Sequence, residues 1–172
     1  SHNGNVSSFT RNTFAGGYHG GSVSNQIDYV TIMSAGNSAD FGNLSVATGG
    51  EPAGMSNSTR GIYGTGGIAA SPGETNTISY ITMASTGDVV DFGDATVARF
   101  SASGLSNTTR GIMAGGGTPT KQNTIDFIEI ATTGNATDFG DLFLAVYSVR
   151  GCSASHTRGM WNGGYTTGYL NT

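Results

Sequence analysis

The chain writes one nine-residue stretch four times: TRNTFAGGY from Thr10, TRGIYGTGG from Thr59, TRGIMAGGG from Thr109 and TRGMWNGGY from Thr157. The spacing divides the sequence into units 10–58, 59–108 and 109–156, of 49, 50 and 48 residues. A partial unit, 157–172, follows them, and residues 1–9 precede them at the phase of a unit's last strand. Self-similarity at such a period marks a chain of stacked supersecondary units, none of which buries its apolar face alone. Whatever structure one unit adopts, the next must adopt too.

Within each unit four signals recur in order. The Thr-Arg segment closes on paired glycines, at Gly16-Gly17, Gly66-Gly67, Gly115-Gly116 and Gly163-Gly164. An alternating run follows, NQIDYVTIMS (25–34), NTISYITMAS (76–85) or NTIDFIEIAT (123–132). Its β-branched and aromatic residues on alternate positions predict a half-buried strand. A Gly-Asn or Gly-Asp turn leads into SADFGNLSVA (38–47), VVDFGDATVA (89–98) or ATDFGDLFLA (136–145). A small-residue run closes the unit: GMSNS (54–58), GLSNT (104–108), GCSAS (151–155). Four short antiparallel strands per unit follow from this pattern, so the predicted class is all-β.

Composition agrees. Glycine supplies 29 of the 172 residues and charged residues only 10%, against roughly 25% in ordinary domains. So few Lys and Glu disfavour long helices, and abundant Gly, Ser, Thr and Asn fit frequent turns. Disordered chains combine low hydrophobicity with high net charge, whereas the net charge here is −4 and apolar residues cluster. No basic cluster is present for nucleic acid, which needs Lys and Arg to displace counterions. No apolar run approaches the ~18 residues of a membrane-spanning helix. The single Cys152 has no partner for an intramolecular disulfide; aligned with Met55 and Leu105, it reads as a small buried hydrophobe.

The sequence predicts no enzyme. Asp40, Asp91 and Asp138 each open a DFG triplet, yet the glycine loop, lysine and catalytic loop of a kinase are missing. Asp88, Asp91 and Asp94 do not follow the alternate spacing of a calcium loop. His2, His19 and His156 share no ligand spacing for zinc. No metal and no cofactor are expected. Paired glycine serves close strand packing or a positive φ, since a phosphate loop needs a helix start and a lysine.

Four of the six arginines, Arg11, Arg60, Arg110 and Arg158, share one phase. In a chain with few charges, the DFG aspartates Asp40, Asp91 and Asp138 are their expected partners, through bidentate pairs that tie a sheet to itself or its neighbour. Ligand recognition is expected where the units differ. Tyr18, His19, Lys121, Tyr165 and Tyr169 follow the glycines in one unit or another, and Trp161 replaces Tyr63 and Met113 inside its strand. Core packing is the first reading of Trp161. Tyr18, His19, Trp161 and Tyr165 form the candidate ligand-binding set, suited to stacking on sugar rings.

The repeat resembles kelch repeats, in which paired glycine is followed by a tyrosine-bearing strand, an aromatic and a basic residue. The counterparts are Tyr29, Tyr80 and Phe127, then Phe41, Phe92 and Phe139; Arg99 matches the basic position, where Thr48 and Val146 stand in the other units. NTIDFIEIATTGNATDFGDL (123–142) is also similar to tandem repeats of predicted phage tail-fibre or virion structural proteins, marine phages especially. The resemblance implies kelch-like β-propeller blades of four strands, a virion or extracellular location, and a structural or receptor-binding module with a cell-surface glycan or protein as partner. A kelch-type scaffold for protein partners is the alternative. Propellers typically close with four to eight blades, so three full units predict a head-to-tail homodimer forming one six-bladed ring, with a stretch of a longer repeat array as the alternative.

Overall fold

The computed structural model describes residues 4–69 and 73–166. These residues form antiparallel β-sheet with no helix among them. The first sheet contains β1 (Gly4–Ser7), β2 (Arg11–Ala15), β3 (Tyr18–His19), β4 (Ser22–Thr31) and β5 (Ala39–Thr48). Its order is β1-β2-β4-β5, with β3 prolonging the line of β2 along β4. The second sheet runs β6 (Ala53–Ser56), β7 (Arg60–Gly67), β8 (Glu74–Thr82) and β9 (Val90–Asp94). The third repeats the first with β10 (Ser103–Ser106), β11 (Arg110–Ala114), β12 (Gly117–Thr118), β13 (Thr120–Glu129) and β14 (Thr137–Val146). A hairpin, β15 (Arg150–Ala154) and β16 (Gly159–Asn162), follows.

Each sheet therefore begins on the small-residue run and ends on the DFG run. The hydrogen-bonded groups straddle the boundaries counted from Thr-Arg, because the small-residue run turns back at once to pair with the Thr-Arg strand after it, as Met55 does with Ile62. Asn57 fixes that reversal: its Oδ1 accepts from the amides of Thr59 and Arg60 at 2.9 and 2.8 Å. Asn107 repeats the turn with Thr109 and Arg110. Ser8 and Ser155 do so with hydroxyls. Short Ser and Asn side chains favour such local bonds to backbone amides.

The apolar core lies between successive sheets. One cluster joins Val6, Ala15, Ile27, Phe41 and Leu44 of the first sheet to Tyr63, Ile81 and Met83 of the second. The other joins Met55, Ile62, Ile78 and Phe92 to Met113, Ile128 and Ile130 of the third. This is the arrangement the repeat demands, since one small sheet cannot bury its own face. Glycines allow the close approach: a Cβ on Gly54 would overlap the carbonyl of Asn5, and one on Gly104 that of Gly54.

Between the outer strands the contacts repeat residue by residue. Gly87 donates to the carbonyl of Phe41 at 2.7 Å and Val89 to that of Asn43 at 3.0 Å, while Asp88 Oδ1 accepts from the Asn43 amide at 2.9 Å. One repeat later Gly134 donates to Phe92 at 2.7 Å, Ala136 to Asp94 at 2.8 Å, and Asn135 Oδ1 accepts from Asp94 at 3.1 Å. The Gly-Asp or Gly-Asn turn thus docks on the DFG strand of the preceding sheet. Among the described residues the series does not close on itself.

Two sequence expectations change. In the second sheet the left-handed pair equivalent to Gly16-Gly17 and Gly115-Gly116 is Thr65-Gly66, with Thr65 at φ 60°. Gly66-Gly67 lies one residue late because Arg60 fixes the phase. Cys152 is exposed, not buried. Cys152 stands five residues before its Thr-Arg, one more than Met55 and Leu105, so Ser153 takes their place opposite Met160. Cys152 then falls at the phase of Gly104, and its thiol donates to the Gly104 carbonyl at 2.9 Å.

Candidate functional site

The arginines do not bind the DFG aspartates. Arg11 lies 5.0 Å over the ring of Tyr29, Arg60 4.6 Å over Tyr80 and Arg110 4.9 Å over Phe127. Those rings meet Phe41, Phe92 and Phe139 edge-on, at 5.8, 6.1 and 6.0 Å. Arg, aromatic and DFG phenylalanine thus form one stack per sheet. From it Arg11 Nη1 donates to the carbonyl of Met83 and Arg60 Nη1 to that of Ile130, both at 2.9 Å and both in the next sheet. Arg110 pairs instead with Glu129 at 2.7 Å. Across the ladder Arg11 and Arg60 face Thr31 and Thr82, which carry no charge, and Arg110 faces the Glu129 carboxylate. Asp40, Asp91 and Asp138 are exposed. Arg158 is exposed on β15–β16 and its amide caps the Ser155 turn.

The buried ion pair lies elsewhere. Arg99 and Asp126 both have fully buried side chains and meet at 2.9 Å between the second and third sheets. Thr96 adds its amide and hydroxyl to the same carboxylate. Burial lowers the affinity of Arg99 for its proton, and the charge and hydrogen bond of Asp126 oppose that. At the preceding boundary Thr48 and Ser79 occupy the two positions, so this pair belongs to one boundary only.

The proposed sugar-stacking residues do not assemble. Tyr18 is 59% exposed, on the glycine-pair end of the first sheet, where its ring lies against Gly49. Tyr165 exchanges backbone hydrogen bonds with Tyr147. Lys121 Nζ sits over both of their rings, at 5.6 and 5.9 Å, and Tyr147 stacks on Phe100 at 5.6 Å. Trp161 is half-buried in β16, its Nε1 enclosed without a hydrogen-bond partner among the described residues, at the phase where Tyr63 packs on the first sheet. The side chain of His19 and all of Tyr169 lie outside the described residues.

What the fold does bring together is the opposite end, beside the Thr-Arg turns. Four successive repeats contribute Ser7, Ser8 and Phe9; Ser56, Asn57 and Ser58; Ser106, Asn107 and Thr108; and Ala154, Ser155 and His156 to one concavity of about 590 Å³. Hydrogen bonds from sheet to sheet hold its wall. Ser56 donates its hydroxyl to the Ser7 carbonyl at 2.9 Å, and Ser106 donates to the Ser56 carbonyl at 2.8 Å while accepting from the Ser56 amide at 2.9 Å. Asn57 reaches the Thr108 carbonyl and Asn107 that of His156, at 3.3 and 3.0 Å. The lining carries hydroxyls, amides and one imidazole, with neither carboxylate nor ammonium. At its edge the Phe9 ring is 87% exposed, where the other units place Ser58, Thr108 and His156.

A wall of neutral donors and acceptors with one exposed ring suits an uncharged polyhydroxylated ligand, through hydrogen bonds and stacking. Sequence reasoning missed it because it looked where units differ. The signal was where they agree: the Ser- and Asn-rich triplet before each Thr-Arg, broken only by Phe9 and Ala154, which a stacked meander must carry to one end. No family model matches the chain, and no curated protein matches it.

Proposed function

We propose that the chain is a non-enzymatic, kelch-like β-propeller module of a virion, of the tail-fibre kind, that binds a host-surface glycan. The observation that carries this reading is the concavity spanning four repeats, neutral and hydroxyl-rich, with Phe9 exposed at its edge. Sugar recognition needs convergent donors and acceptors and an apolar ring face, and those groups converge here. Similarity of residues 123–142 to phage virion repeats supports the location. The test is a glycan array probed with the wild-type chain and with Phe9→Ala and Thr108→Val. Selective binding weakened by both changes supports the reading; no glycan bound, or binding indifferent to both, refutes it.

One observation favours a protein-binding scaffold instead. Phe143 is 99% exposed and Leu144 46% exposed on neighbouring positions of β14. Exposed apolar pairs on an outer strand fit a protein contact, and a partner lost on Phe143→Ser with glycan binding intact would support that reading.

A further inference from the structure

The boundary between sheets is made twice inside the chain, and the groups that make it are present a third time, divided between the two outward faces. On the third sheet Phe139 is 54% exposed, whereas Phe41 and Phe92 are each 2% exposed. A Cβ on Gly140 would meet nothing within 4 Å, although Gly42 and Gly93 press against the backbones of Gly87 and Gly134. Arg110, which has no carbonyl acceptor in a following sheet among the described residues, turns to Glu129. On the first sheet Ile32 is 51% exposed, while its equivalents Met83 and Ile130 are 2% and 0% exposed. The turn Gly36-Asn37 is exposed, and a Cβ on Gly36 would also meet nothing.

We infer that the outward face of the third sheet takes the outward face of the first sheet of a second copy of this chain. By the two internal precedents, Arg110 donates to the Ile32 carbonyl of the other copy and Ile32 packs on Phe139. The Gly36 amide meets the Phe139 carbonyl, and Asn37 Oδ1 accepts from the Asp141 amide. At Ile32, Gly36 and Asn37 the arriving surface carries the counterparts of Met83, Gly87 and Asp88, the groups that seat the second sheet on the first. The contact is head to tail, so two copies make it twice, and three sheets from each give a ring of six, within the range at which propellers close.

The seam requires one rearrangement. β15–β16 fills the inner place beside the third sheet, which β1–β2 of the arriving copy needs. β1–β2 is fastened to its own second sheet: Val6 and Thr13 are buried, and the Thr13 hydroxyl bonds that of Tyr63. Residues 152–160 are exposed throughout. β15–β16 therefore gives way, and Trp161, the single tryptophan, leaves its half-buried seat.

The inference does not rest on glycan recognition. Its test is the particle mass of the full chain by sedimentation across the micromolar range, with Trp161 fluorescence recorded on the same samples. The expected result is a two-chain particle whose tryptophan emission shifts to the red as it assembles. Ile32→Asp and Phe139→Asp, both at side chains exposed in the single chain, each give one-chain particles, with circular dichroism unchanged. A one-chain wild-type particle throughout that range, or a larger particle that survives both substitutions, overturns it.

Discussion

Arg60 donates from Nη1 to the carbonyl oxygen of Ile130 at 2.9 Å, tying the second sheet to the third while its guanidinium lies over Tyr80. In two of its four copies, at Arg11 and Arg60, the repeated sequence marker is thus an inter-sheet tie built on an aromatic ring.

Arg60→Ala should cost about 2 kcal/mol, the sum of a charged hydrogen bond and a ring contact. Arg110→Ala should stay within about 0.5 kcal/mol, since its half-exposed pair with Glu129 is screened by solvent. Urea unfolding of both in an Ile32→Asp background, where only contacts within one chain count, checks the difference.

Thr65 holds a left-handed φ of 60° with its hydroxyl buried and, among the described residues, unpartnered. Such strain costs a β-branched residue about 1–3 kcal/mol. Thr65→Gly restores the residue that the first and third sheets use and should stabilise the chain by about 1 kcal/mol, after the extra freedom glycine gives the unfolded state. A higher midpoint in thermal unfolding is the expected result.

Arg99→Met should cost about 3–5 kcal/mol, because it leaves Asp126 charged, buried and short of its partner. Arg99→Met with Asp126→Leu should recover most of that loss, since well-packed apolar groups commonly replace a buried pair at little cost. Chemical denaturation of the single and double variants measures the recovery.

Alkaline pH should weaken the fold through Tyr63. Burial raises this phenol well above its ordinary value of 10.0, and the Thr13 hydroxyl only partly offsets the effect. A group whose folded pKa is raised contributes stability that is complete below the unfolded pKa and is lost as pH rises towards the folded one. Stability should therefore fall from about pH 10 upward, and Tyr63→Phe should flatten that limb in denaturation curves taken from pH 8 to 11.

The strand order was legible because the repeat fixes it: every unit places its aromatics, its turn and its DFG run in the same sequence. The repeat marked Tyr29, Phe41, Tyr80 and Phe92 as equivalent positions, and the structure shows that they meet in pairs. The arginine partner was not legible. Charge alone favoured Asp40 and Asp91, but the acceptors are the carbonyls of Met83 and Ile130, and a backbone acceptor leaves no mark on residue type. The Thr-Arg-end concavity was hidden for a different reason. Ser56, Asn57 and Ser58 look like ordinary turn residues until neighbouring repeats set Ser106, Asn107 and Thr108 beside them.

Glycan affinity measured side by side for Phe9→Ala and Tyr18→Ala tests the central claim most directly. Both residues are exposed and sit at opposite ends of the first sheet, so neither change should disturb the core. The site at the Thr-Arg end predicts that Phe9→Ala weakens binding at least tenfold, about 1.4 kcal/mol, while Tyr18→Ala binds as the wild type does. Binding lost with Tyr18→Ala and kept with Phe9→Ala would contradict it.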